Sequence, residues 1–172
     1  MSHSNRIDFT YIFHKLYTSS LMTARIRGYI VDQVKTPEEA CQCACKLFGK
    51  HLPDKLQRLI AEDGNYSYHY ADTFWRGSSF PLGEPAIAKG VESAFAYAQN
   101  VLHGPFPLGE PAIATIGYFS YLYACQILHG PFPLGEPAIA RSPYGVSYFN
   151  YYYRDSWATY QDWENSVLRR ES

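Results

Sequence analysis

The string FPLGEPAIA occurs three times in the chain, and each copy begins 26 residues after the one before it. The copies are Phe80–Ala88, Phe106–Ala114 and Phe132–Ala140, and the last two extend backwards to LHGPFPLGEPAIA. A fixed period of about 20–50 residues is typical of proteins in which one supersecondary unit packs only against its neighbours. The repeat therefore constrains the fold strongly, because the chain must stack the same unit several times.

The first part of each unit is predicted to be a long helix. Within Val91–Leu102, four apolar residues fall at positions i, i+3, i+4 and i+7, which places them on one helical face. They are Ala94, Tyr97, Ala98 and Val101. In the next copy of the unit the same kind of face is expected from Tyr121, Ala124, Ile127 and Leu128.

A tight turn and a short helix complete the unit. In His103-Gly104-Pro105 we expect the glycine to adopt the left-handed conformation that ends a helix, and the proline prevents the helix from continuing. Glu110-Pro111 then predicts the start of a short second helix. Proline is tolerated in a first helical turn, and a carboxylate is favoured at the positive end of a helix.

Weaker copies of the unit extend the array in both directions. Upstream, Thr36-Pro37-Glu38-Glu39 predicts a helix start with a capping box, and a short helix is expected over Asp54–Ala61. Downstream, Ser142-Pro143 opens a long helix in which aromatic residues replace the alanines, and a last helix lies near Tyr160–Arg169. Such an atypical end is expected of a terminal capping unit.

These patterns predict one all-α domain spanning residues 1–172. We expect an N-terminal helical segment at 8–34, an α-solenoid-like array of helix-turn-helix repeats at 36–157, and a C-terminal helix and tail at 158–172. The aromatic residues near the C-terminus are expected to cap the array.

The unit resembles a short helical repeat of tailed-bacteriophage genomes and of scattered bacterial proteins of unassigned function. In that repeat, a tyrosine-alanine pair and a Val/Ile-Lys-Gly-Arg turn precede Phe/Trp-Pro-Glu-x-Glu-Pro-x-Ile at the same period. The matching residues here are Tyr97-Ala98, Phe106-Pro107 and Glu110-Pro111-Ala112-Ile113, and the likeness covers about two thirds of the chain. The turn departs from the pattern, because His103-Gly104-Pro105 replaces the basic residues. The resemblance implies an array fold and a phage origin, but no activity.

Composition excludes several classes of protein. The formal net charge of −1 gives no general attraction to nucleic acid or to a membrane surface. The stretch Pro111–Gly135 contains no charged residue, but its prolines and glycines leave too short a helix for a membrane span. The N-terminus lacks the pattern of a signal peptide, so we expect a cytoplasmic protein, in the host cytoplasm if the gene belongs to a phage.

Cysteine usage agrees with a reducing compartment. Cys41, Cys43 and Cys45 alternate along one predicted helix, and Cys125 stands alone. Neighbours at this spacing are poorly placed to form disulfides, and three thiolates on different helical faces cannot converge on one metal ion. We therefore interpret these cysteines as small residues of the core.

The repeat also places ionisable groups in ladders. Glu84, Glu110 and Glu136 recur at one position, and His103 and His129 recur at another. Carboxylate and imidazole groups aligned on one edge could bind a metal ion or a small ligand. Capping of a helix N-terminus by Glu and of a C-terminus by His explains both positions without a ligand, so we predict no metal and no cofactor.

Aromatic residues are concentrated near the C-terminus. The candidates for a partner-binding surface are Tyr148, Tyr151, Tyr152, Tyr153, Trp157, Tyr160 and Trp163. Tyrosine and tryptophan are preferred at interfaces, because they combine a large rigid area with a polar tip. The alternative is that these residues close the last unit of the array. Base stacking is not favoured, because this half of the chain is acidic and lacks a basic groove.

The sequence contains none of the common phosphate-binding, nucleophile-elbow or zinc-protease motifs, so we predict no catalytic residue. The leading hypothesis is a non-enzymatic protein-interaction module that binds or inhibits a host protein if the gene is of phage origin. One alternative is a metal-binding or small-molecule-binding protein that uses the Glu and His ladders. Another is a structural protein that associates with copies of itself.

Overall fold

The computed structural model of the protein describes residues 24–170, and these residues form helices joined by short turns, with no strand among them. The all-α prediction is confirmed. The helices are α1 (Ala24–Gln33), α2 (Pro37–Cys43), α3 (Asp54–Ile60), α4 (Gly64–Phe74), α5 (Glu84–Ile87), α6 (Val91–Ala96), α7 (Glu110–Ile113), α8 (Gly117–Tyr123), α9 (Glu136–Ala140), α10 (Gly145–Tyr152) and α11 (Tyr160–Arg169). Residues 8–23 of the predicted N-terminal helical segment, and 171–172 of the tail, lie outside the described residues.

The start of α2 is fixed by the capping box that the sequence predicts. The Thr36 side chain accepts a hydrogen bond from the Glu39 amide at 3.2 Å, and the Glu39 carboxylate accepts one from the Thr36 amide at 3.3 Å. Two amides that have no helical acceptor are thus satisfied at once. Pro37 occupies the first turn, where its missing N–H costs nothing.

Three long helices end in a wider, π-helical turn. The α2, α6 and α8 helices continue into the π-helical segments Ala44–Phe48, Tyr97–Leu102 and Ala124–Leu128. Periodicity predicts helix across Val91–Leu102 but not this change of pitch. Segments of this kind are rare, and here they occupy equivalent places in separate units.

The left-handed residue at the end of these helices is not the one that the sequence predicts. His103 and His129 adopt φ values of 52° and 50°, whereas Gly104 is not left-handed, so the assignment of this role to Gly104 is wrong. The His103 and Gly104 amides both donate to the Ala98 carbonyl, which closes the π-helical turn at the histidine. Gly77 holds the equivalent position one unit earlier, with a φ of 76°.

The buried face of the repeat helix agrees with its apolar spacing. All four predicted residues, Ala94, Tyr97, Ala98 and Val101, are fully buried. In the next unit the buried tyrosine is Tyr123, whereas Tyr121 is only partly buried. Tyr121 packs against the core from its edge, and Tyr123 is the residue that corresponds to Tyr97 after one 26-residue period.

A buried tyrosine hydroxyl joins each unit to the one before it. The Tyr97 hydroxyl accepts a hydrogen bond from the Phe80 amide at 2.7 Å. Tyr123 accepts one from Phe106, and Tyr148 accepts one from Phe132, each at 2.8 Å. Because each phenylalanine lies in a Phe-Pro turn, its amide has no helical acceptor, and the hydroxyl provides one.

Ring contacts extend these bonds into a continuous row, which we call the aromatic spine. The rings of Tyr70 and Phe80 lie 5.0 Å apart between centroids, those of Tyr97 and Phe106 lie 4.9 Å apart, and those of Tyr123 and Phe132 lie 5.1 Å apart. Seven residues, none more than 3% exposed, form the spine: Tyr70, Phe80, Tyr97, Phe106, Tyr123, Phe132 and Tyr148. Alternating ring contacts and hydrogen bonds therefore run through the middle of the chain.

A second set of hydrogen bonds repeats beside the spine. The Ser93 hydroxyl donates to the Ile87 carbonyl at 2.9 Å, and the Ser120 hydroxyl donates to the Ile113 carbonyl at 3.0 Å. Both isoleucines are fully buried at the end of a short helix, where carbonyl groups lack helical partners. The same contact thus attaches each short helix to the long helix that follows it.

An aromatic cap closes the C-terminal end of the array, as the sequence predicts. Trp163 in α11 is 1% exposed, and its ring lies 5.8 Å from Tyr148, 5.9 Å from Phe149 and 5.6 Å from Tyr160. The α11 helix spans the predicted range and packs on α9 and α10. Tyr148 of the last unit therefore contacts Phe132 of the unit before it and Trp163 of α11.

The hydrogen bonds of the aromatic spine should be measurable in single-atom variants. We expect Tyr123→Phe to lower the free energy of unfolding by about 1–3 kcal/mol, because the buried Phe106 amide and the Glu110 carboxylate each lose a partner. The matched control is Tyr151→Phe, which removes the same atom from a side chain that is 77% exposed, and it should change stability by less than about 0.5 kcal/mol. Urea unfolding followed by circular dichroism checks both values, and equal effects of the two substitutions would contradict the role of the spine.

Candidate functional site

The glutamates of the predicted ladder are bound to the aromatic spine. The Tyr97 hydroxyl donates to Glu84 at 2.9 Å, and the Tyr123 hydroxyl donates to Glu110 at 3.0 Å. Each tyrosine thus accepts from a turn amide and donates to the carboxylate four residues further along the same turn. Sequence analysis places these glutamates at helix N-termini but does not identify the tyrosine hydroxyls that donate hydrogen bonds to them.

Glu136 is held more closely than the other two ladder glutamates. Its side chain is only 2% exposed and accepts hydrogen bonds from the hydroxyls of Tyr148, at 3.1 Å, and Tyr153. Arg170 lies 3.8 Å from the second carboxylate oxygen. A buried carboxylate needs such partners to offset its loss of hydration. Here the partners come from the cap, so these contacts join α9 to it.

The ladder histidines end helices and face outward. His103 and His129 are exposed, and the Nδ1 atom of His103 lies 3.0 Å from the Gln99 carbonyl oxygen. Within residues 24–170, no group of three or more His, Cys, Asp and Glu side chains is placed to hold a metal ion. The ladder histidines therefore lie at the ends of helices, and the ladder glutamates accept hydrogen bonds from tyrosine hydroxyls.

Cysteines 41, 43 and 45 differ in exposure along their helix. Cys43 is buried and Cys45 is exposed. Burial raises the pKa of Cys41 and of Cys43 to about 11, which keeps both thiols protonated and weakly nucleophilic at neutral pH. All four cysteines of the chain are free thiols.

The predicted partner-binding aromatics are divided by the structure between the core and the surface. Tyr148 and Trp163 are buried, so a partner cannot contact them. The side chains of the cap that are partly buried are Tyr152, Tyr153, Trp157 and Tyr160. Only Tyr151, at 77% exposed, projects fully into solvent.

Tyr151 belongs to a larger group of exposed and partly buried tyrosines, which we call the tyrosine face: Tyr118, Tyr121, Tyr144, Tyr151 and Tyr152. Tyr121 stacks on Tyr144, with ring centroids 5.3 Å apart and planes at 16°, and Tyr118 lies 5.5 Å from the same ring. Tyr151 contacts Tyr152 at 4.7 Å. Tyr118 and Tyr121 lie in α8, and Tyr144 lies in the turn before α10. The face therefore joins two neighbouring units.

Tyr121 and Tyr152 are partly buried members of the tyrosine face. Burial and the neighbouring Cys125 raise the pKa of each of these tyrosines. Tyr152 also donates to the Ala124 carbonyl at 3.1 Å. This hydrogen bond fixes the position of the Tyr152 ring.

Few charged residues lie close to the tyrosine face in the sequence. Between residues 111 and 153 the only charged side chains are Glu136, which is buried in the cap, and Arg141. Tyr118 is 45% exposed, and the nearby apolar residues Ile116 and Val146 are 45% and 52% exposed. This combination of rings in mutual contact, exposed apolar area and few charged neighbours in the sequence is suited to binding.

Sequence analysis misses Tyr118 and Tyr121 as members of a surface. The signal is present in the uncharged stretch Pro111–Gly135, which resembles a membrane span in composition only. No helix within residues 24–170 combines the length and apolar character that crossing a membrane requires. Comparison with protein-family models, with curated proteins and with solved structures finds no match to this chain.

Alkaline titration should separate the spine tyrosines from those of the exposed surface. Burial, opposed by the bond from a turn amide, raises the pKa of Tyr97, Tyr123 and Tyr148 above the unfolded value of about 10. Folding therefore disfavours the tyrosinate form of these residues, and their contribution to stability is present below about pH 10 and is lost as the pH rises further.

We expect tyrosinate absorbance to rise in two phases, of which the second coincides with loss of the helical circular dichroism signal. Ionisation of all tyrosines in one phase near pH 10, with the helices intact, would contradict the burial of the spine.

Proposed function

We propose that the protein is a non-enzymatic interaction module that binds another protein through the tyrosine face. The observation that carries the proposal is the exposure of Tyr118 and Tyr151, each of which belongs to a set of tyrosine rings in mutual contact. Folding does not explain why such rings remain in solvent, since the buried spine already closes the core. Contiguous exposed apolar area of this kind marks binding sites in soluble proteins.

Tyrosine is suited to this role for physical reasons. Its ring supplies contact area at a low cost in side-chain entropy, and its hydroxyl adapts to donors and acceptors on the partner. The packing of Tyr121 against Tyr144 and the hydrogen bond from Tyr152 to the Ala124 carbonyl order part of the face in advance. These side chains therefore lose less conformational entropy on binding, which favours affinity.

The absence of charge restricts the partner. A strongly charged surface would lose hydration against this face without gaining an ion pair, so we propose a partner with an apolar or aromatic patch. For a gene of phage origin this partner is a host protein, and binding then inhibits or redirects it. We also propose a cytoplasmic location, which the free thiols of all four cysteines support.

The proposal predicts that charge on the tyrosine face abolishes capture of the partner. Tagged protein is used to capture binding partners from host lysate, alongside the variants Tyr118→Asp and Tyr151→Asp. The matched control is Tyr29→Asp, because Tyr29 is 61% exposed on α1 and lies outside the face. We expect the unchanged protein and the control to recover one stoichiometric protein, and both face variants to lose at least about 90% of it, as expected when a charge is buried in an apolar contact.

Salt provides a second criterion for the same experiment. Because the face is uncharged, capture should persist when ionic strength is raised, whereas binding by complementary charges would weaken. Recovery of no stoichiometric protein, equal recovery by the face variants, or loss of capture in salt would each contradict the proposal.

A further inference from the structure

An open cavity of about 480 Å³ is lined by residues of α3 and of the chain that follows α1. Its volume falls within the range of about 300–1,000 Å³ that is typical of small-molecule sites. Five of the residues that line it are ionisable, and two, Val34 and Leu59, are apolar. None of them belongs to the tyrosine face, so an inference from this cavity does not rest on the proposed function.

Two lysine ammonium groups meet beside the cavity at the end of α1. The Asp32 carbonyl oxygen accepts hydrogen bonds from the Nζ atom of Lys35 at 2.8 Å and from that of Lys55 at 3.2 Å. The two nitrogens therefore lie no farther apart than the sum of these distances, about 6 Å, at which like charges disfavour each other. A helix C-terminus supplies only about half of one negative charge, so it does not neutralise both lysines.

Arg58 adds a third cation to the same cavity. Within residues 24–170, neither Arg58 nor the two lysines form an ion pair with a carboxylate. Asp54 and Glu62 stand four residues to either side of Arg58, a spacing at which ion pairs often form on a helix, yet they leave it unpaired. Three cations that line one cavity without a protein counter-charge are complementary to an anion.

We propose that this cavity binds a small phosphate monoester. A phosphate group carries about −1.5 to −2 charges at pH 7 and has three strong acceptor oxygens. One phosphate therefore matches three separate cationic donors, those of Lys35, Lys55 and Arg58, whereas a carboxylate has one charge and two oxygens. The planar guanidinium of arginine is also well suited to the geometry of phosphate oxygens.

The two carboxylates of the cavity limit the charge of the ligand. Asp54 and Glu62 line the same space and offset two of the three cations before any ligand binds. The remaining positive charge suits one phosphate group, and a polyphosphate or a nucleic-acid backbone would be repelled. The carboxylate oxygens also accept hydrogen bonds, so hydroxyl groups on the organic part of the ligand have partners in the cavity.

Val34 and Leu59 offer an apolar contact to the organic part of the ligand. Small-molecule sites combine such apolar lining with a few polar groups that fix orientation. A phosphate ester with an aromatic or aliphatic group should therefore bind more tightly than inorganic phosphate, which uses only the cations.

The distribution of charge along the chain supports this position for an anion site. Residues 1–60 contain nine Lys and Arg against five Asp and Glu, and the remainder contains six against eleven. A local excess of positive charge raises the concentration of anions near a site and speeds their association. Only the N-terminal part of the chain has that excess.

Isothermal titration calorimetry with phenyl phosphate tests the site. We expect saturable binding of one phenyl phosphate per chain and weaker binding of inorganic phosphate. Benzoate has the same ring but a single charge, and it should bind at least about tenfold more weakly. Affinity for phenyl phosphate should fall as ionic strength is raised, because the three cations are exposed.

Two variants of opposite effect test the role of the charges. Arg58→Gln should raise the dissociation constant for phenyl phosphate at least about tenfold, because a charge-assisted hydrogen bond is lost. The matched control is Arg169→Gln, which removes the same charge from an exposed side chain outside the cavity and should leave the constant unchanged. Glu62→Gln should lower the constant, because it removes a repulsion. Circular dichroism should report the same helix content for all of these proteins.

Several results would overturn the inference. They are no saturable binding of phenyl phosphate, equal effects of Arg58→Gln and Arg169→Gln, no gain of affinity in Glu62→Gln, and binding of benzoate or inorganic phosphate as tight as that of phenyl phosphate. Tighter binding of a phosphotyrosine peptide than of phenyl phosphate would overturn the assignment to a small molecule. Failure of the proposed function is separate, because it is measured by the Tyr118→Asp and Tyr151→Asp variants.

Discussion

One buried hydroxyl per unit holds this fold together. A Phe-Pro turn cannot continue a helix, so its amide and the glutamate behind it would be left without protein partners. The tyrosine of the next unit satisfies both, as Tyr123 does for Phe106 and Glu110. Because the donor and the acceptor come from one unit and the hydroxyl from another, folding of each unit is coupled to its neighbour.

The sequence predicts those parts of the fold that depend on local pattern. The start of α2 at Thr36, the helix at Tyr160–Arg169 and the aromatic cap follow from capping residues, periodicity and composition. Features that depend on contacts between units are not predictable in this way. Local rules favour Gly104 over His103 as the left-handed residue, and they do not show that Tyr123, rather than Tyr121, reaches the turn of another unit.

The candidate surfaces follow from the same division between spine and exterior. Residues of the spine are buried, so Tyr148 cannot belong to the predicted partner-binding surface. Residues that the spine does not use remain outside, among them Tyr118 and Tyr151 of the tyrosine face. Sequence alone predicts that aromatic residues near the C-terminus matter, but it cannot separate the cap from the surface, because burial there is decided by contacts of α10 with α11.

The most direct test of the spine is amide hydrogen exchange in the native protein, measured residue by residue. The amides of Phe80, Phe106 and Phe132 lie in turns, yet they should exchange as slowly as those of the long helices, because each donates to a buried tyrosine. The leucine amides two residues further along the same turns are the internal reference and should exchange quickly. Equal, fast exchange of the phenylalanine and leucine amides would contradict the account.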